Sequence, residues 1–137
     1  MIKIYNKLLI FLFSLVISVS SGENPFINTP DHQPYYVSEK AQDLILQCSF
    51  TEAFRNKNLY EPNWVRFVNG TPDYITRNEN VFESSGDYDL LTDIPGEYNL
   101  KIGSVEYSRD NGKFFCKLLS LKDKKQYSSN PAQIVVL

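Results

Sequence analysis

The sequence is short of almost everything that reactive chemistry draws on. Among 137 residues there is one histidine, His32, one methionine, one tryptophan and two cysteines. His32 stands in Pro30-Asp31-His32-Gln33-Pro34, an extended segment punctuated by proline, with no nucleophile motif beside it. Carboxylate pairs such as Glu52 and Glu61, or Asp87 and Asp89, read as solvated loop charge rather than as an acid and base flanking a sugar. The scattered Asp and Asn residues have no EF-hand spacing. No enzyme, cofactor or metal is expected from this inventory.

Long apolar runs and basic excess are missing too. The one run of note, Leu8 to Ile17, is shorter than the roughly 20 residues a membrane-crossing helix needs. It follows Lys3 and Lys7 and precedes the small residues Ser18-Val19-Ser20-Ser21-Gly22, the pattern of a secretory leader cleaved near Ser20 to Gly22. The expectation is a signal peptide over 1–21 and a single domain over 22–137, secreted, extracellular and not membrane-spanning. Losing Lys3 and Lys7 takes the basic count from 14 to 12 against 16 acids, moving net charge from −2 to about −4. That balance gives no reason to expect nucleic acid or an anionic membrane as partner. The cluster Lys122-Asp123-Lys124-Lys125 is small and interrupted, and suits a solvated hairpin tip.

What remains is a series of short strands. Leu44, Leu46, Cys48 and Phe50 fall on one face by the period of two. Asn63 to Val68 forms the next strand, ended by Asn69-Gly70, a strong hairpin dipeptide. Strands over 88–92 and 97–102 flank a Pro95-Gly96 turn, and strands over 113–121 and 132–136 complete the set. The stretch from Thr51 to Pro62 reads as a loop, and the strand content of 69–86 is left open. Such spacing predicts an all-β sandwich of two antiparallel sheets. In an oxidising compartment, Cys48–Cys116 is the default bridge. Its loop of about 68 residues contributes on the order of 4 kcal/mol by loop entropy.

Cys48, Trp64, Leu100-x-Ile102, Asp110-x-Gly112-x-Phe114-x-Cys116 and Ala132-x-Ile134-x-Val136 together resemble an immunoglobulin-like domain of the variable or intermediate set. The resemblance implies one cysteine on each sheet, with Trp64 packed on the bridge and Leu46, Leu100 and Phe114 in the core. Phe114 occupies the usual place of the corner tyrosine, so the corner is expected to be held by packing alone. The stretch from Val105 to Asp110 is one residue longer than the usual pattern, which implies a bulged turn. A narrower similarity, carried by Gly96-Glu97-Tyr98-Asn99-Leu100-Lys101-Ile102, Phe114-x-Cys116 and the 128–137 ending, is to the first domain of nephrin and Neph (irregular chiasm/roughest) adhesion receptors. Asn63 stands where that family often has glutamine. The similarity implies recognition of an extracellular or cell-surface protein, such as another immunoglobulin-superfamily member, through the domain's outer face. A free-standing secreted relative acting in cell recognition, adhesion or synapse organisation fits it, and a weak homodimer is compatible.

If Trp64 and Cys116 point inward, alternation turns Val65 and Phe67 outward on one strand, and Phe115, Lys117 and Leu119 outward on its neighbour. These five form the candidate partner surface, with Phe67 and Phe115 as anchors. The competing reading is that the rings cover each other, or that the 51–62 loop covers them. A bulge in either strand would reverse the assignment. The same parity sends Arg66 inward, where a salt bridge to Asp110 would satisfy its charge. Gly112 is expected to relieve a tight turn. Asn69-Gly70-Thr71 is an N-glycosylation sequon. Two other readings stay open: an immune-type module for foreign surfaces, seated in the loops over 51–62 and 121–128, and a receptor-clustering matrix component.

Overall fold

A computed structural model describes residues 23–30 and 34–137. The proposed leader and His32 lie outside the described residues. In chain order the elements are β1 (Phe26–Asn28), β2 (Tyr35–Val37), β3 (Gln42–Leu46), β4 (Ser49–Phe50), a 3-10 turn (Glu52–Phe54), β5 (Tyr60–Val68), β6 (Thr71–Arg77) and β7 (Asn80–Val81). There follow β8 (Tyr88–Leu91), β9 (Asn99–Ser104), a one-turn helix α1 (Tyr107–Asp110), β10 (Gly112–Ser120), β11 (Gln126–Ser128) and β12 (Ala132–Val136). They stack in two layers. One runs β2-β12-β10-β5-β6-β7, with β11 also on β10; the other is β3-β9-β8, prolonged by the β1-β4 pair.

The pairing is antiparallel with one exception. β2 runs parallel to β12, aligning Ile134 with Tyr35 and Val136 with Val37. The expected sandwich of antiparallel sheets holds, with this one parallel pair added at the edge of one sheet. β1 pairs with β4 and β2 with β12, so these two strands belong to different sheets.

The period of two holds where burial enforces it. Leu46, Cys48, Trp64, Leu100, Ile102, Phe114, Cys116 and Leu118 form the interior, joined by Phe54, Tyr98 and Ile134. Cys48 and Cys116 are bonded across the layers, with their Cα atoms 6.4 Å apart. Trp64 is wholly buried and its indole N–H donates to the Tyr98 carbonyl at 2.9 Å. The Asn69-Gly70 turn takes positive φ at both residues and registers Val68 opposite Thr71, as a two-residue hairpin requires. The 69–86 stretch, open in the sequence, forms β6 and β7.

Three expectations about glycine and the corner are corrected. Gly112 lies in β10 and does not relieve a tight turn: a Cβ there would collide with the Phe67 carbonyl oxygen, so close approach of β5 is the reason for glycine. The corner before β10 is α1 rather than a bulge, and it is held by more than packing. Asp110 accepts the Glu106 backbone N–H at 2.8 Å and a fork from Arg109, whose Nη2 lies 2.7 Å from Oδ2.

Candidate partner-binding face

β5 and β10 are paired over eight residues, from Lys113 opposite Phe67 to Ser120 opposite Tyr60. Neither strand is bulged against the other, so alternation survives along both. The irregularity falls on β6, where Trp64 pairs with Thr76 but Val65 with Tyr74, leaving Ile75 as the extra residue. Inward go Trp64 and Arg66, with Phe114, Cys116 and Leu118. Outward go Asn63, Val65 and Phe67, with Lys113, Phe115, Lys117 and Leu119.

The structure divides the five expected surface residues. Val65 faces outward yet is 1% exposed, set between Phe115 of β10 and Tyr74 of β6. It is a floor for the patch and offers a partner almost no area. Phe67, Phe115, Lys117 and Leu119 are half-buried. The two phenyl rings meet edge to face with centroids 5.4 Å apart, so each covers part of the other. Lys117 Nζ lies over both, 5.8 Å from the Phe67 centroid and 5.9 Å from that of Phe115. Of the expected loop over 51–62, residues 60–62 open β5 instead, and the 51–59 segment packs away from this face, with Phe54 against Tyr60 and Tyr127.

The face extends further than the sequence suggested. Beside Leu119 lies a groove of about 590 Å³ whose walls include Pro72, Tyr74 and Phe82. Tyr74 and Phe82 are about half exposed. The hairpin dipeptide announced a returning strand, but the bulge at Ile75 breaks its alternation, so Tyr74 carried no legible direction. Polar residues line the rest. Arg77 clasps Glu61 with Nε at 3.1 Å and Nη2 at 3.3 Å. Asn63 is 8% exposed and its Oδ1 accepts no hydrogen bond, the one buried side-chain acceptor so left among the described residues.

Behind β5, the inner polar residues are fully met. Arg66 Nη2 donates to Asp73 at 2.5 Å and Nη1 to the Tyr88 hydroxyl at 2.8 Å. The expected Arg66–Asp110 bridge is only a 3.9 Å approach, because the Tyr88 hydroxyl stands between and donates to Asp110. Burial opposes the Arg66 charge, but Tyr88 and Asp73 outweigh it and hold its pKa above the usual value. Arg109 is held charged in the same way by Asp110 and Asp87. Burial first, then Asp110, pushes the Tyr88 phenol well above its ordinary range.

At the other end of β5 a cavity of about 620 Å³ opens beside Phe50, Tyr98, Arg55 and Lys57. Lys57 and Glu79 pair at its rim. Among the described residues no group of His, Cys, Asp and Glu could hold a metal ion, and no helix is long and apolar enough to cross a membrane.

No protein-family model matches the sequence, and no curated protein matches it. Solved structures do. The RIG-5 IG1 homodimer aligns with TM-score 0.64 and 20% identity over 84% of this chain and 99% of that one. Its fold is immunoglobulin-like. So is the fold of this chain. Dpr1 IG1 bound to DIP-eta IG1 aligns with TM-score 0.62 and 16% identity, covering 86% and 100%. Dpr11 IG1 bound to DIP-gamma IG+IG2 gives 0.61 and 18% over 81% of this chain, which spans 49% of that one. These neighbours are immunoglobulin domains captured with other immunoglobulin domains or as a homodimer. The narrower likeness to nephrin and Neph rests on the sequence alone.

Proposed function

We propose that this immunoglobulin-like chain is secreted and binds another extracellular or cell-surface protein, most directly another immunoglobulin domain, in cell recognition or adhesion. The outer face of β5, β6 and β10 is its contact surface, and it uses no cofactor and catalyses no reaction. One observation carries this: half-buried Phe67, Phe115 and Leu119 continue into exposed Tyr74 and Phe82 on one open sheet face, a contiguous apolar run of the kind that marks interaction sites. The company that similar folds keep supports the same reading. Asn69, exposed at the β5–β6 turn, would carry a glycan at the margin of that face. The test is a binding screen against extracellular domains using the parent, Phe67→Asp and Phe115→Asp, each checked for folding by its tryptophan emission. Loss of binding in both variants is expected; two folded variants that bind as the parent does refute the face.

A second reading places recognition in the loops, as an immune-type module would, and the cavity beside Arg55 and Lys57 favours it. Binding lost in an Arg55→Ala, Lys57→Ala double variant, with both sheet-face variants active, selects that reading.

A further inference from the structure

The outer face carries one amide oxygen and two ammonium groups that no hydrogen bond or ion pair among the described residues answers, Lys117 resting only against the Phe67 and Phe115 rings. Asn63 Oδ1 is buried in the sheet centre without a donor. Lys117, directly opposite Asn63 in the β5–β10 register, has no carboxylate within ion-pair range among the described residues. Lys113, two pleats along the same outward row, has none either. The nearby acids are already committed: Glu61 to Arg77 and Asp73 to Arg66. The face is therefore locally cationic, on a chain whose formal net charge is −2.

Resting on the proposed role of this face, we infer that it selects a different protein, one whose docking surface brings a carboxylate to Lys117 and an N–H or O–H donor to Asn63, and that it rejects a second copy of this chain. A stranded amide oxygen costs free energy that only an incoming donor recovers. A two-fold pairing of identical faces sets the same patch against itself. With Lys117 at the centre, such a pairing traps two ammonium groups near one another while no free carboxylate stands by to separate them. Like charges facing each other in a drying interface repel and suppress that pairing. Charge complementarity thus names the occupant: an acidic sheet face on another protein.

A panel of soluble extracellular immunoglobulin domains is titrated with the parent, Lys117→Glu, Lys117→Gln and Asn63→Leu, and the parent alone is sedimented at rising concentration. Expected are a monomeric parent and at least one domain that loses tenfold or more in affinity for Lys117→Glu and for Asn63→Leu. Lys117→Gln should lose less, and raised salt should slow association with the parent. Each variant is first checked for native tryptophan emission, and Lys117→Gln keeps the test valid should charge reversal disturb folding. A panel with no domain that prefers the parent to Lys117→Glu overturns the inference. So does parental self-association that Phe115→Asp abolishes. If Phe67→Asp and Phe115→Asp destroy binding while Lys117→Glu and Asn63→Leu bind as the parent, this inference falls and the face stands. If all four bind as the parent, the face itself falls.

Discussion

Arg66 and Asn63 lie three residues apart on β5 and point to opposite sides of the sheet. Both are largely buried and polar. Arg66 finds Asp73 and the Tyr88 hydroxyl, and through Tyr88 it joins Asp110 and Arg109. Asn63 finds nothing for its oxygen. The inner group is satisfied by residues drawn from β6, β8 and the α1 corner, so its role closes within the fold. The outer group has equal burial and no partner for its oxygen, although Arg77, a donor, stands opposite it in the β5–β6 register. A polar group that a fold could have satisfied and did not is a better pointer to outside contact than an exposed phenylalanine.

The sharpest way to break this contrast is Asp110→Ala. It strips Tyr88, Arg109 and the Glu106 N–H of their shared acceptor, and should cost about 3–5 kcal/mol in urea unfolding, as removal of one member of a buried ionic cluster does. A loss under about 1 kcal/mol would mean the inner network is ornamental.

Next comes pH. The Tyr88 and Tyr98 phenols are both raised above the ordinary value of 10.0, burial being the largest cause for each. The folded chain therefore favours the neutral forms. Their contribution is complete below about pH 10 and is lost as pH rises beyond it, where the unfolded chain ionises first. Each phenol should remove up to about 1.4 kcal/mol per pH unit in that range. Melting temperature followed from pH 8 to 11 should stay level and then fall, and Tyr98→Phe should soften the fall. An unchanged slope in that variant would separate Tyr98 from the effect.

The outer group should behave in reverse. Asn63→Leu removes an unsatisfied oxygen and should leave stability unchanged or raise it by about 1 kcal/mol, while weakening partner binding. A clear loss of stability by chemical denaturation would show that Asn63 serves the fold after all. Smallest of all is Lys117→Gln, expected within about 0.5 kcal/mol of the parent, as for a surface change that breaks no structural bond. A larger loss would give its position over the two rings a structural role.

Much of this architecture is legible in the chain. The two cysteines, the lone tryptophan and the Asn69-Gly70 turn determine layers, register and hairpin because each depends on local chemistry and strict alternation. Legibility stops where a residue's fate depends on lateral neighbours. Parity sends Val65 outward correctly but says nothing of Phe115 and Tyr74 on either side, so its burial could not be read. Tyr74 and Phe82 were hidden by one extra residue, Ile75, which defeats the period of two. The Tyr88–Asp110 contact spans 22 residues and joins a strand to a corner, so no local pattern announces it. Gly112 looks like a turn glycine from sequence alone; only the carbonyl pressed against it from β5 reveals its purpose.

The parallel β2–β12 pair has a mechanical consequence. β2 lies near the beginning of the described chain and β12 near its end, side by side and pointing the same way. A tug applied at residues 34 and 137 pulls these two strands in opposite directions along their length, so their cross-links are strained together rather than peeled one after another. If the chain tethers surfaces, the place where load enters is thus the place best arranged to resist it. Single-molecule stretching from those two points should give a higher rupture force than stretching from positions that unzip the β5–β6 hairpin.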